Sequence, residues 1–222
     1  MLADDLADRP AERETALKIA SAVRGLDGVV GDVLSFARPI SPQHDACTAQ
    51  ELFDDALAAC AACLQREGIE VRREDAQRRP VAIECDGTLV RQALINVVRN
   101  AIEAIAGAGD PSRERTVTLD ASRTRVREKA GDAAPMISLR VRDTGPGVTP
   151  EVVARMFNPF FTTRHTGTGL GLAIVHRIVD AHGGRVRVRN APEGGAVVEL
   201  LLPAEPGARS QRHDRDTETP TP

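Results

Sequence analysis

Small and apolar residues repeat at heptad spacing near the beginning of the chain, and this repeat restricts the segment to one kind of structure. The intervals between the seven residues alternate between 3 and 4 positions, so their side chains line one side of an α-helix. The residues are Ala16, Ile19, Val23, Leu26, Val30, Val33 and Ala37. Such a seam predicts a helix that packs against partner helices in a bundle.

Glycine and proline residues limit the stability and the length of this helix. Gly25, Gly28 and Gly31 each cost about 1 kcal/mol relative to alanine in a helix, so the helix is expected to depend on its partners. Pro39 and Pro42 follow the last seam residue. Because proline has no amide hydrogen to donate, the helix is predicted to end before them.

The rest of the chain alternates between helix-like and strand-like segments. Helical patterns lie at about residues 50–67, 87–107, 151–157 and 170–181, and strand-like patterns at about 69–71, 81–83, 116–124, 136–142, 185–189 and 196–202. This succession predicts an α/β fold, a two-layer α/β sandwich with helices on one face of a mixed sheet. Residues 204–222 are polar and proline-rich, so we expect a disordered tail there.

The composition excludes several classes of protein. Only 2% of the residues are aromatic, and Trp and Tyr are absent, which excludes a stacking surface for nucleic acid or carbohydrate. The formal net charge of −3 gives no general attraction to nucleic acid. No apolar run reaches the roughly 18 residues of a membrane-spanning helix, and the chain starts with acidic residues. We therefore expect no membrane segment and a cytoplasmic location.

The four cysteines have one suggestive spacing. Cys60 and Cys63 are separated by two residues, as in redox motifs and metal sites, but no second pair has matching spacing. We interpret these cysteines as small residues of an alanine-rich helix, with a redox or metal role as the alternative.

The helix predicted at residues 87–107 carries a polar stripe. Gln92, Asn96, Asn100 and Glu103 follow one another at intervals of 4, 4 and 3 residues, which places them on one side of the helix among apolar neighbours. Unpaired buried amides cost about 1–3 kcal/mol each. The stripe therefore faces either water, as in an ordinary surface helix, or a ligand.

Two glycine-rich segments follow. Residues 143–147, Asp-Thr-Gly-Pro-Gly, come directly after a predicted strand, and residues 167–171, Gly-Thr-Gly-Leu-Gly, open a predicted helix. Glycines allow close approach of a phosphate, and a helix N-terminus offers free amide hydrogens. The second segment is not a dinucleotide-binding fingerprint, because Leu172 occupies the position of the third glycine. The long connection between them, residues 144–168, is typical of a lid.

Four motifs occur in a fixed order along the chain. They are Asn96-x-x-x-Asn100, Asp143-x-Gly145-x-Gly147, Phe157-Asn158-Pro159-Phe160-Phe161-Thr162-Thr163 and Gly167-Thr168-Gly169-Leu170-Gly171. This arrangement resembles the N, G1, F and G2 boxes of the ATP-binding domain of sensor histidine kinases, within the GHKL superfamily. The resemblance implies a Bergerat-type ATP-binding fold.

The resemblance extends over most of the chain. The heptad helix resembles the second helix of the dimerisation hairpin, and Ser35–Pro39 matches the usual exit from it. Asn100–Ala104 resembles the nitrogen-regulation subgroup. The implied regions are a partial dimerisation and phosphotransfer helix at residues 1–40, a catalytic domain at 41–203 and a tail at 204–222.

The resemblance also implies roles for residues of the first two motifs. Asn100 would bind Mg²⁺ through its side-chain oxygen, and Asn96 would lie beside the phosphates as a catalytic residue. Asp143 would accept a hydrogen bond from the adenine amino group, which favours adenine over guanine. Gly145 and Gly147 would let the chain pass close to the base.

The other two motifs would enclose the phosphates. Phe160, Thr163 and the catalytic Arg164 would lie on a lid that closes over ATP, with the guanidinium able to reach phosphate oxygens. The residues that would line the triphosphate are Gly167, Thr168, Gly169, Leu170 and Gly171. The sequence departs from the family's usual residues at two places in the nucleotide site. Glu103 stands where many family members carry Lys, and Ala196-Val197 stands where a Thr often helps to hold adenine.

The implied activity is transfer of the γ-phosphoryl group of ATP to a histidine, for relay to the receiver domain of a response regulator. The implied assembly is a homodimer or heterodimer through the helix at residues 16–37. In the family, the acceptor histidine is followed directly by Glu or Asp, and a proline comes five residues after the histidine. None of the five histidines of this sequence has this pattern: His44, His165, His176, His182 and His213. We therefore expect the acceptor helix to lie outside these 222 residues, as part of another chain or of a longer protein.

Two other functions remain open at this stage. A module that binds Mg·ATP and dimerises could regulate intact kinases without transferring phosphate. A serine kinase of the anti-sigma-factor type would share the ATP site but would not need the heptad helix or the phenylalanine-rich lid segment.

Overall fold

The computed structural model describes residues 9–75, 79–109, 113–127, 133–163 and 167–204. The tail predicted at 204–222 therefore lies almost entirely outside the described residues. The helices are α1 Pro10–Ala37, α2 Ala49–Arg66, α3 Gly87–Ala106, α4 Pro150–Val153 and α5 Gly171–Ala181. The strands are β1 Asp45–Thr48, β2 Glu70–Arg73, β3 Ala82–Cys85, β4 Thr116–Arg127, β5 Ala133–Asp143, β6 Arg185–Asn190 and β7 Ala196–Pro203.

The main sheet has five strands in the order β2-β4-β5-β7-β6. Strands β2 and β4 are parallel, and the other neighbours are antiparallel, so the predicted mixed sheet is confirmed. Strands β1 and β3 form a separate antiparallel pair. The sequence pattern located β2 and β3 but missed β1, and the two segments it found belong to different sheets.

The core lies between this sheet and helices α2, α3 and α5. Phe53 of α2, Leu94 of α3, Ile178 of α5 and Leu139 of β5 all belong to one buried apolar cluster. Helices α2 and α3 each begin at a residue whose side chain caps the helix. Thr48 and Glu51 form a reciprocal capping box at α2, and the Asp86 side chain accepts from the amide of Leu89 at α3, which satisfies otherwise unpaired N–H groups.

The sheet carries a row of alternating charges across four strands. The register pairs Arg187 with Glu199, Glu199 with Arg140, and Arg140 with Asp120. Arg140 and Asp120 form an ion pair, and Arg187 lies 3.9 Å from Glu199. Opposite charges on adjacent strands stabilise one register over its neighbours. Arg187 of β6 thus faces a carboxylate on the neighbouring strand β7.

Helix α1 contacts the rest of the fold through its last residues. The Arg177 guanidinium of α5 donates to the backbone oxygens of Phe36 and Arg38 and lies 4.9 Å from the Phe36 ring centroid. Farther along α1, the apolar side chains of Ile19, Val30 and other seam residues are exposed. No helix in the described ranges has the length and apolar character needed to cross a membrane.

Candidate functional site

The polar residues of α3, the end of β5 and the N-terminus of α5 come together on the helical side of the sheet. A side chain at Gly145, just after β5, would contact the Cβ of Ala104 on α3 at 3.0 Å. A side chain at Gly171, the first residue of α5, would lie 3.9 Å from the Asn96 amide oxygen. The predicted N, G1 and G2 motifs therefore converge on α3.

Asp143 is the buried carboxylate of this site. It is the last residue of β5 and is only 5% exposed. Its Oδ1 accepts from the amide of Gly145 at 2.8 Å and from the amide of Ala196 at 3.2 Å. Two backbone donors on one oxygen stabilise the carboxylate and fix its orientation. Ala196, which replaces a polar side chain in the resemblance, thus contributes through its main chain.

The polar stripe of helix α3 is divided between the candidate site and a separate cavity. Asn96 and Asn100 are half-buried, whereas Glu103 is exposed. Gln92 instead lines a cavity of about 890 Å³ between the end of α1, the segment that follows it, and the beginnings of α2 and α3. The Asn96 amide approaches the beginning of α5.

The beginning of α5 is suited to an anion. Among the described residues, no side chain caps its N-terminus, so amide hydrogens of the first turn remain available to a ligand. Thr168 Oγ1 instead accepts from the amide of Leu170 at 3.2 Å. The Leu170 side chain is buried, so only its main chain can face a phosphate. Gly167 is exposed.

The predicted lid segment packs on the glycine-rich loop before α5. Gly169 has φ +68°, and a side chain there would lie 2.5 Å from the carbonyl carbon of Phe160. The Phe160 side chain itself is 68% exposed, with φ 64°, and Thr163 is also exposed. The structure therefore brings the main chain of this segment to the site rather than these two side chains. Arg164, predicted to be catalytic, lies outside the described residues.

Asn190 is a residue of the site that the sequence reasoning missed. Its Nδ2 donates to the Val148 carbonyl at 2.9 Å, and its Oδ1 accepts from the Val148 amide at 2.8 Å. At the other end of the same loop, Thr144 Oγ1 accepts from the amide of Thr116 at 3.0 Å. The loop that follows Asp143 is thus held at both ends. A lone asparagine after a strand gave no sequence signal for this role.

His182 has a structural role. It is buried, its Nε2 accepts from the Asp86 amide at 3.0 Å, and its Nδ1 lies 2.7 Å from the Ile178 carbonyl. The acceptor role of Nε2 places the proton on Nδ1, which donates to Ile178. Burial lowers the pKa of His182, and the neutral ring joins the end of α5 to the beginning of α3.

Comparison with known proteins gives a consistent assignment. A family model described as histidine kinase-, DNA gyrase B-, and HSP90-like ATPase matches residues 85–206, more than half of the chain. The signal transduction histidine-protein kinase AtoS of Escherichia coli (strain K12) is 31% identical over 202 residues, which are 89% of this chain and 30% of AtoS. The chain spans roughly a third of the length of the curated relatives it matches.

Solved structures agree with this match. Full-length ShkA in complex with AMPPNP has a TM-score of 0.67 and 29% identity, covering 91% of this chain and 40% of ShkA. Histidine kinase ThkA in complex with the response regulator protein TrrA has a TM-score of 0.66 and 25% identity, covering 86% of this chain and 51% of ThkA. The chain therefore belongs to the histidine kinase-, DNA gyrase B- and HSP90-like ATPase family, and the relatives it matches there are sensor histidine kinases.

Proposed function

We propose that this chain is the catalytic region of a sensor histidine kinase, which binds Mg·ATP and transfers the γ-phosphoryl group to a histidine for relay to a response regulator. The names of the relatives support the kinase class. The AMPPNP bound to ShkA supports an adenine nucleotide as ligand, and the complex of ThkA with TrrA supports a response regulator as partner.

The observation that carries the proposal is the placement of three chemically different groups along the second half of α3. Asp143 offers a buried acceptor, which suits the amino group of adenine. The uncapped N-terminus of α5 suits phosphate. Asn96 and Asn100 offer neutral amide oxygens on the same side of α3. This order of groups, acceptor, amides and helix N-terminus, fits the base-to-phosphate order of ATP.

These residues have distinct roles in the proposed reaction. Asn100 would hold Mg²⁺, which supplies charge stabilisation at the phosphates. Asn96 would orient the phosphates against the beginning of α5, so that catalysis depends largely on positioning. Asp143 would select adenine and determine how deeply the base enters the site. Arg164 would supply a cation to the phosphoryl group.

The acceptor histidine is proposed to lie on a helix that pairs with α1. None of the five histidines of these 222 residues has the acceptor pattern, and His182 is held by Asp86 and Ile178. The exposed apolar side chains of α1, such as Ile19 and Val30, suit pairing with other helices in a homodimer or heterodimer. The missing acceptor pattern and the exposed apolar side chains of α1 also fit a dimerising ATP-binding module without kinase activity, which is the second candidate function.

A phosphate-transfer assay distinguishes a kinase from a regulatory module without kinase activity. The chain is incubated with Mg²⁺ and ATP radiolabelled on the γ-phosphate, alone and with a purified dimerisation hairpin of a sensor histidine kinase as acceptor. Acid-labile, base-stable label on the hairpin is the result expected of a kinase. ATP binding without label on either protein would favour the regulatory module. Label on the chain itself would place the acceptor within these 222 residues and contradict the separate-helix part of the proposal.

Asn100→Ala is expected to remove the Mg²⁺ dependence of ATP binding, because it deletes the proposed metal ligand. In Mg²⁺ its ATP affinity should fall about tenfold, a loss of about 1.4 kcal/mol, to the value measured in EDTA. Calorimetric titration with and without the metal measures this. Arg99→Ala, at the exposed neighbouring position of α3, is the matched control. An unchanged metal titration for Asn100→Ala would argue against the metal role.

Asn190→Ala is expected to weaken ATP binding about tenfold, because the loop beside Asp143 loses two hydrogen bonds that are worth about 1 kcal/mol each. Fluorescence titration with a labelled ATP measures the change. Arg189→Ala, on the exposed end of the same strand, should bind normally. Equal affinities of the two variants would contradict the role of Asn190 in positioning this loop.

A further inference from the structure

Two cysteines from different elements touch each other at the junction between α1 and the catalytic domain. The Sγ atoms of Cys47 on β1 and Cys85 on β3 are 3.5 Å apart. In the antiparallel register, Cys47 lies opposite Ile83, and Cys85 lies opposite Asp45. The two cysteines are therefore diagonal neighbours on the same face of the strand pair. To form an S–S bond of about 2.05 Å, the two sulfurs must approach each other and the two strands must adjust.

The pair is accessible from one side. Cys85 is buried, whereas Cys47 is half-buried, and both line the cavity of about 890 Å³ between the end of α1 and the beginnings of α2 and α3. A small reagent in this cavity can therefore reach Cys47 first. The described residues contain no group of three or more His, Cys, Asp or Glu side chains placed to hold a metal ion. A pair of adjacent thiols is instead suited to oxidation.

We propose that Cys47 and Cys85 are a redox-modification site, which a low-molecular-weight disulfide such as oxidised glutathione converts to an intramolecular disulfide. Cys47 Sγ, as thiolate, attacks one sulfur of the reagent, the reagent's S–S bond breaks, and the first glutathione thiol leaves. Cys85 Sγ then attacks the Cys47 sulfur and releases the second glutathione thiol. Two protein thiols are oxidised, one reagent disulfide is reduced, and the two thiol protons end on the two glutathione molecules.

The surroundings of the pair determine its rate. Burial raises the pKa of the Cys47 thiol and that of the Cys85 thiol. Because the thiolate is the attacking species, exchange is slow at neutral pH and becomes faster as the pH rises. The second step is intramolecular between sulfurs already in contact, so a mixed disulfide at Cys47 is short-lived.

The Cys47–Cys85 disulfide would lie between the end of α1 and the beginning of α3, which carries residues of the proposed nucleotide site. Strand β1 follows the segment after α1, and β3 leads directly to Asp86, the N-cap of α3. The Asp86 Oδ2 already accepts from the amide of Gln43 at 3.1 Å. A disulfide between Cys47 and Cys85 adds a covalent bond to this contact and constrains the unfolded chain. It therefore restricts the segment that lies between the end of α1 and the beginning of α3.

The full chain is treated with oxidised glutathione at pH 7 and pH 9, and remaining thiols are blocked before peptide mapping by mass spectrometry. The expected product is lighter by two hydrogen atoms, contains linked Cys47 and Cys85 peptides, forms faster at pH 9 and reverts with dithiothreitol. Its thermal midpoint should rise by about 5 °C. Cys60→Ser should behave like the natural chain.

Variants of the pair separate this site from the helical pair Cys60 and Cys63. Cys47→Ala and Cys85→Ala should each lose the cross-link, and Cys85→Ala should accumulate glutathione on Cys47 because the second thiol is missing. The proposal is overturned if Cys60 is linked to Cys63, if glutathione persists on Cys47 in the natural chain, or if all four thiols survive at pH 9. A thermal melt of each reduced variant verifies that it folds.

Discussion

Asp143→Asn is expected to abolish measurable ATP binding while the domain stays folded. The asparagine Oδ1 can still accept from the amides of Gly145 and Ala196, so the local structure keeps its two hydrogen bonds. An NH₂ group, however, replaces the oxygen that we assign to adenine, and it places a donor against the adenine amino group. Loss of a charge-assisted hydrogen bond, with a donor left unpaired, costs about 3 kcal/mol, a hundredfold in affinity.

Calorimetry with ATP measures this change, and circular dichroism verifies the fold. Asp180→Asn on the exposed side of α5 removes the same charge elsewhere and should bind ATP normally. Because Asp143 is assigned to the base and Asn100 to the metal, the loss of ATP binding in Asp143→Asn should occur both in Mg²⁺ and in EDTA. A folded Asp143→Asn protein with normal ATP affinity would refute the adenine assignment.

Gly169→Ala is expected to weaken ATP binding by tenfold or more, because the new methyl group meets main-chain atoms rather than a movable side chain. Its Cβ would lie 2.5 Å from the Phe160 carbonyl carbon and 2.8 Å from the Phe161 amide nitrogen. The loop before α5 or the lid segment must therefore shift. Either shift displaces amides that we assign to the phosphates, and one lost phosphate contact of about 1.5–3 kcal/mol accounts for the effect.

The chain offers a matched control for the backbone conformation. Gly109 has the same φ of +68°, but a side chain there would meet nothing within 4 Å. Gly109→Ala should therefore show only the cost of a left-handed alanine, about 1 kcal/mol of folding stability, with normal ATP affinity. Thermal melts and ATP titrations of both variants test this. Similar ATP affinities for the two variants would exclude the packing of the lid segment on Gly169 as a determinant of binding.

Helices α2, α3 and α5 could be predicted closely from the sequence, because the residues that define a helix lie a few positions apart along the chain. The pattern placed α3 at about 87–107, and the structure has Gly87–Ala106. Apolar residues at helical spacing define its buried side, Asp86 caps its start, and Gly107 follows its end. Each of these features acts within a few residues along the chain. The heptad seam of α1 could also be recognised from the sequence, because its residues lie three or four positions apart.

Strand pairing was less predictable because it depends on distant partners. Strand β1 has only four residues, without apolar alternation, and it is extended because it pairs with β3. Strands β4 and β5 continue beyond the predicted limits, to Arg127 and from Ala133, because each supplies the other's hydrogen bonds. A single segment contains no information about such a partner.

The nucleotide motifs and their order were determined by the sequence alone, since Asn96, Asn100, Asp143 and the glycines are chemically specific residue types at short, fixed spacings. Only the tertiary structure decided which other groups complete the site. Asn190 holds a loop of the site that is 42 residues away along the chain, and outside the site Cys47 contacts a cysteine 38 residues away. Hydrogen bonds and sulfur contacts act over a few ångströms in space, so separation along the chain does not reveal them.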